Sequence, residues 1–375
     1  MNFRLVWVGA DDDPPRRQPT AQDGVAAVRD SPSGTPRYEQ QGSEMVRCER
    51  LASGDVKRIA VANFKARIVC DLILDDDAEQ RRELGIEAEL GGQRLAFVVP
   101  AAEFGRMGWV LRQLGPEAIV YAGQPQHARA AIQWLSGRIP QQRIFTHLGW
   151  RKHGPDWVYL NAGGAVGAQG PRGDVRVELP TALQHYQVPS LANRQEQVSA
   201  VRASLRCLAL APDRISFPLL AAVYRAALGK VDFNVFLTGQ TGTFKTALAA
   251  LCQQHFGAAL EASRLPANFA STANALEELA FSAKDSLLVV DDFVLIGGPG
   301  DSALQGLAER LFRAAGNHQG RSRMRGNGHL HAPHPPRGLV LATGEEVPRG
   351  QSIRARLLIV ELRPAEVDRS RLSLC

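Results

Sequence analysis

Over residues 64–74 every second position is apolar. Phe64, Ala66, Ile68, Cys70, Leu72 and Leu74 alternate with mostly polar neighbours, which predicts a strand with one buried face. The alternation repeats on both sides of Gly91-Gly92 in GIEAELGGQRLAFVV, and that pair suits a two-residue hairpin turn. The period then lengthens. In AAEFGRMGWVLRQLGP, Phe104, Met107, Leu111 and Leu114 share a helical face, and Gly115-Pro116 ends the run. HARAAIQWLSG predicts a further short helix, and strand patterns return at RIFTH, DWVYLN and DVRVEL. Residues 57–188 are therefore expected to form an α+β domain.

A helical connector is expected over residues 189–230. Ser190 suits the N-cap of its first helix, where Val198, Val201, Leu205 and Leu208 have helical spacing. The second helix is expected from Phe217 to Leu228, ending at Gly229. The glycine-rich NAGGAVGAQGPRG lies between two strands. A phosphate grip needs a helix N-terminus, so this segment reads as a loop or hairpin. Residues 11–45 carry Pro, Arg, Gln, Asp, Ser and Gly with almost no large apolar residues, and 1–56 read as a disordered leader with room for a first strand.

From Val231 the pattern is that of an α/β fold. A β-rich run, Val231–Thr238, enters the loop GQTGTF, and a strong helix-forming series, KTALAALCQQHF, leaves it. This strand–loop–helix order is the context of a P-loop NTPase. Gly239, Gln240, Thr241, Gly242, Thr243 and Phe244 would wrap the phosphates of ATP with backbone N–H groups. Lys245 would reach the β- and γ-phosphates, and the Thr246 hydroxyl would ligate Mg²⁺. Phe244 stands where the usual pattern has its last glycine. If the position needs a positive φ, the phenylalanine costs roughly 1–2 kcal/mol against glycine.

Two more apolar runs end in polar residues. SLLVVDDF at 286–293 has the form of a Walker B strand, which assigns Asp291 to the metal and Asp292 to the base that polarises the attacking water. The two aspartates could exchange these roles. RGLVLATGEEVP places Thr343 where a sensor would touch the γ-phosphate or that water. In RGQSIRARLLIVEL, Arg354 and Arg356 are two apart and point the same way on an extended segment, so either could be an arginine finger in a homo-oligomeric ring. Upstream, NHQGRSRMRGNGHLHAPHPPRG carries Arg321, Arg323, Arg325 and Arg337 without an acid. Asn327-Gly328 is a hairpin signal, so these arginines read as a basic finger that grips DNA phosphates, most simply of a single strand. The histidines there lack convincing metal-ligand spacing.

Composition narrows the field without deciding it. The 375 residues allow two or more domains, and 45% hydrophobic with 22% charged residues is ordinary for a globular protein. The net charge of +6 is compatible with nucleic acid as partner. Five dispersed cysteines without a CxxC pair argue against a disulfide framework and a zinc ribbon. With no signal peptide pattern and no apolar run long enough to span a bilayer, a cytoplasmic protein without membrane contact is expected.

With these residues in place, the chain from about residue 57 resembles the Cch-like helicase ATPases, a bacterial domain-of-unknown-function family of phage, plasmid and integrative-element replication modules. The carrying stretches are NFKARI, HLGWRKHG, WVYLNAGGAVG, LTGQTGTFKTAL, PANFASTANALEELAF, LLVVDDF and GLVLATGEEVPRGQSIRARLL. The resemblance implies a helicase- or AAA-like P-loop core with a mostly parallel sheet over 231–375, preceded by an α+β region. It implies that Gly239, Gly242, Lys245 and Thr246 bind ATP, that Asp291 and Asp292 complete the site, and that Arg354 or Arg356 is the finger. It further implies a DNA helicase or translocase serving replication of a mobile element, with a primase as partner. AEVDRSRLSLC stops soon after the finger strand where relatives continue with helices, so a truncated end is expected. The rival expectation is a nucleotide-responsive DNA-binding or scaffold protein with weak or lost ATPase activity.

Overall fold

The computed structural model describes residues 37–189, 193–320 and 333–372. They form a mixed α/β structure with several sheets, some antiparallel and one parallel. The chain divides into two compact units. One takes the chain up to Ile73 together with Arg81–Gln142, and the other takes Leu74–Gln80 and Arg143 onward.

In the first unit, β1 (Arg37–Gln41), β2 (Glu44–Arg50) and β3 (Val56–Ala62) make an antiparallel meander. Tyr38, Met45, Val46 and Cys48 are buried, so the later part of the stretch read as a leader forms strands with a packed face. β4 (Lys65–Asp75) follows the predicted alternation. β5 (Gln80–Leu90) and β6 (Gln93–Pro100) pair across Gly91 and Gly92, which both have positive φ as a tight turn requires. The single helix expected over 101–114 is broken into α1 (Ala101–Phe104) and α2 (Trp109–Leu114). Met107 has φ +56, and Trp109 is buried while Leu111 is 65% exposed. The large indole took the core position, with its Nε1 donating to Phe104 O at 3.2 Å, and the break rotates Leu111 outward. α3 (Pro125–Leu135) closes this core with Ala128, Ala131 and Ile132.

The second unit starts with β7 (Gln141–Phe145), β8 (Gly149–His153), β9 (Asp156–Asn161), β10 (Gly164–Gly167), β11 (Gly170–Arg172) and β12 (Arg176–Val177). NAGGAVGAQGPRG forms the antiparallel β9–β10–β11 turns. Within this unit β8 and β9 hold the turn before the later strand at Leu287, so residues on both sides of the boundary expected near 188 pack together. Trp150 N donates to Asp285 Oδ2 at 3.0 Å and Tyr159 Oη to Asp285 O at 2.9 Å. Gly149 has φ +89, and a Cβ there would lie 2.4 Å from Lys284 O. Nearby, His147 is fully buried, with Nδ1 donating to Leu148 O at 2.7 Å.

α4 (Arg194–Arg206) and α5 (Asp213–Ala227) form the connector. Asn193 caps α4 by accepting from Glu196 N at 2.9 Å, whereas the expected cap, Ser190, lies outside the described residues. Val201 and Leu205 are about half exposed, so the predicted apolar face of α4 is not its buried one.

The remaining elements are β13 (Asn234–Gly239), α6 (Lys245–Gln254), β14 (Ala267–Asn268), α7 (Ala273–Ser282), β15 (Leu287–Phe293), α8 (Asp301–Asn317), β16 (Leu339–Gly344), α9 (Gln351–Arg354), β17 (Leu357–Leu362) and α10 (Arg369–Leu372). The five strands form one sheet in the order β14-β15-β16-β13-β17, and every neighbouring pair is parallel. Strands buried on both faces carry near-continuous apolar runs, as in Val235–Leu237, Leu287–Val290 and Leu339–Ala342. A parallel sheet collects all its strand C-termini on one edge, where loops from β13, β15 and β16 meet. Among the described residues no helix is long and apolar enough to cross a membrane.

Candidate functional site

The loop from Gly239 to Phe244 leaves β13 at that edge and opens directly into α6. A Cβ on Gly239 would sit 2.3 Å from Leu362 O, so only glycine lets the chain turn against β17. Gly242 has φ +82, and Phe244 has φ +68 and ψ +24, the left-handed conformation the glycine pattern anticipates. The phenylalanine holds that conformation with its ring half-buried against the core and the Arg369 guanidinium 4.9 Å above the ring centroid. No side chain caps α6, whose first-turn amides face the loop.

Lys245 lies within the loop, its Nζ donating to Gly239 O at 2.8 Å and Gln240 O at 2.9 Å. Thr246 Oγ1 donates to Asp291 Oδ1 at 3.1 Å. Thr343 Oγ1 donates to the same carboxylate oxygen and accepts from Asp292 N at 3.2 Å. Residues 246, 291 and 343, far apart in sequence, thus converge on one carboxylate. In a regular strand Asp291 and Asp292 would face opposite sides of the sheet. Here the register of β15 on β16 slips between Val290 and Phe293, Asp292 takes φ +69, and its side chain is exposed.

The cradle fits a polyphosphate with a hard divalent cation. It joins a loop with glycine at 239 and 242, an ammonium and an uncapped helix start to a hydroxyl and a carboxylate at contact distance. Mg²⁺ takes oxygen ligands and commonly keeps waters and phosphate oxygens beside one or two protein groups. Thr246 and Asp291 would hold it. Among the described residues no three His, Cys, Asp or Glu side chains cluster as a metal cage of their own.

Among the expected arginines, Arg337 turns into the fold. Arg337 is no DNA-facing cation: its Nε donates to Phe281 O at 2.8 Å, its Nη1 donates to Asp76 O at 2.9 Å, and its guanidinium carbon lies 3.6 Å from the Phe281 ring centroid. Burial lowers its pKa to about 10. Arg321, Arg323 and Arg325, with the Asn327-Gly328 turn, lie outside the described residues. Arg354 and Arg356 do not share an extended segment, because Arg354 ends α9 and Arg356 lies in the turn before β17. Arg356 donates to Asn317 Oδ1 at 2.8 and 2.9 Å and to Ser352 Oγ at 3.0 Å, and its stem packs where a Cβ on Gly316 would be. Arg354 is exposed and makes no side-chain hydrogen bond or ion pair among the described residues.

One residue at this edge was missed. Glu345, two positions after Thr343, accepts a hydrogen bond from Thr241 Oγ1 in the loop. The signal was the acid pair of TGEEVP directly after the third apolar run.

No family model matches the chain, and no curated protein matches it. The resemblance to the domain-of-unknown-function family therefore has no family-model match behind it. Among solved structures, the chain is similar to one described as "SCCmec type IV Cch - active helicase", with 13% identity and a TM-score of 0.46, covering 90% of this chain and 60% of that one. The chain spans less than two thirds of that protein, and the reading of the site rests on its own geometry.

Proposed function

We propose that residues 231–372 form a P-loop NTPase core that binds and hydrolyses Mg²⁺-ATP, and that this hydrolysis drives a DNA helicase or translocase of a mobile genetic element. The observation that carries the ATPase reading is the convergence of Thr246 and Thr343 on Asp291 beside a loop holding Lys245. ATP supplies the cleavable phosphoanhydride and the cation screens its charge. In this reading Gly239 to Phe244 wrap the phosphates through their amides, and Lys245 exchanges its two loop carbonyls for phosphate oxygens. Thr246 and Asp291 orient the metal. Asp292 polarises the attacking water, while Thr343 fixes the Asp291 carboxylate and carries its position to β16.

DNA as partner rests on the basic balance of the chain and on the segment holding Arg321, Arg323 and Arg325, with Arg337 removed from that set. Assembly into a ring rests on Arg354, the exposed arginine of the finger pair, reaching a neighbouring copy. A primase partner and a cytoplasmic location belong to the same proposal. The test is ATP hydrolysis by the purified protein with and without single-stranded DNA, beside Lys245→Ala. Turnover stimulated by DNA and lost in the variant supports the motor. ATP binding without turnover favours the nucleotide-responsive scaffold instead.

A further inference from the structure

β16 lies between β15, which carries the aspartates, and β13, which carries the loop. The chain leaving β16 therefore emerges between them. Glu345 is fixed there on both sides: its N–H donates to Phe293 O at 3.2 Å, and its carbonyl accepts from Thr238 Oγ1 at 3.0 Å. Its exposed carboxylate is held at the loop by Thr241 Oγ1. A loop shaped to gather anions thus has a fixed negative charge tied to its own rim. Asp291 is held by Thr343, two positions before Glu345, and the ammonium of Lys245 is spent on the Gly239 and Gln240 carbonyls, with no ion pair to either carboxylate among the described residues.

We propose that Glu345 is a specificity-determining residue of the nucleotide site: its charge disfavours a triphosphate that is not screened by a divalent cation, and so makes ATP binding depend on Mg²⁺. The proposal rests on the ATP reading above. Repulsion between like charges grows with the charge of the ligand and falls when a cation lies between them. ATP carries about one more negative charge than ADP, so the repulsion weighs more on the triphosphate. ATP is affected more than ADP, and most of all without metal.

The test is equilibrium binding of fluorescent ATP and ADP to wild type, Glu345→Gln and Thr241→Val, each in Mg²⁺ and in EDTA. Glu345→Gln keeps the size of the side chain and removes its charge. In EDTA it is expected to tighten ATP binding on the order of tenfold and ADP binding much less, with the gap narrowing in Mg²⁺. Thr241→Val frees the carboxylate from the loop and is expected to shift ATP binding in the same direction by less. Unchanged ATP affinity in EDTA, or an equal gain for ATP and ADP, overturns the proposal. Lys245→Ala separates this from the underlying reading. If ATP binds wild type and depends on Lys245 while Glu345→Gln changes nothing, only the role of Glu345 fails. If ATP binding ignores Lys245, the nucleotide site itself fails.

Discussion

Replacing Phe244 by glycine and by alanine isolates what its backbone conformation costs. At φ +68 an L-residue carries about 1–2 kcal/mol of strain that glycine lacks. Glycine returns about 0.5–1 kcal/mol of this through its greater freedom in the unfolded chain. The Gly variant should therefore be more stable than the Ala variant by about 1 kcal/mol, the reverse of their order inside a helix. Both lose the half-buried ring and its contact with Arg369, 4.9 Å away, worth about 0.5–1 kcal/mol for the cation–π part. Alanine keeps the strain and loses the ring, so it should fall below wild type by about 2 kcal/mol, and glycine by about 1 kcal/mol. For a unit of this size about 1 kcal/mol moves the melting midpoint by roughly 2–4 °C, so thermal unfolding in matched buffer resolves the order. ATP binding to Phe244→Gly should equal or exceed that of wild type. Equal midpoints for the two variants would refute the strain argument, and loss of ATP affinity in Phe244→Gly would mean the loop register is wrong.

Other outcomes follow from the same geometry. Arg337→Ala should cost about 2–4 kcal/mol, since it deletes two hydrogen bonds from a buried cation, yet leave DNA affinity per folded molecule unchanged. A selective loss of DNA binding would restore it to the interface. Burial lowers the His147 pKa to about 4. The unfolded chain takes up that proton near pH 6.5, so stability is full above this value and declines by about 3 kcal/mol as pH falls toward 4. Denaturant titrations across that range should show the slope, and His147→Asn should flatten it. Gly239→Ala should abolish nucleotide binding, because its Cβ would meet Leu362 O at 2.3 Å and push the loop off β17. Undiminished binding would place the phosphates elsewhere.

Much of the site was legible because its chemistry is local in sequence. GQTGTFKT carries loop and helix start together, and LLVVDDF carries strand and carboxylate together. What the pattern could not show was where side chains turn after the strands end. Arg354 and Arg356 sit two apart, but the first ends a helix and the second lies in the turn before β17, so their alternation has no extended backbone to act on. Arg337 reads as one more cation in a basic stretch, and only the tertiary fold reveals the aromatic ring and two carbonyls that consume it. Glu345 was passed over for the opposite reason. An acid near an anion site reads as a solvated turn until Thr241 is seen to hold it. In the first unit the helical spacing of Phe104, Met107, Leu111 and Leu114 was real but incomplete, since burying Trp109 outweighed it and broke the helix at Met107.

The Gly239–Thr246 loop and Asp291 are proposed to form one site for Mg²⁺-ATP. Calorimetric titration of a non-hydrolysable ATP analogue with Mg²⁺ into wild type, Lys245→Ala and Asp291→Asn tests it most directly. Saturable one-site binding is expected for wild type, with loss in Lys245→Ala and loss of the Mg²⁺ dependence in Asp291→Asn. Equal affinity in all three proteins, or no binding to wild type, would contradict it.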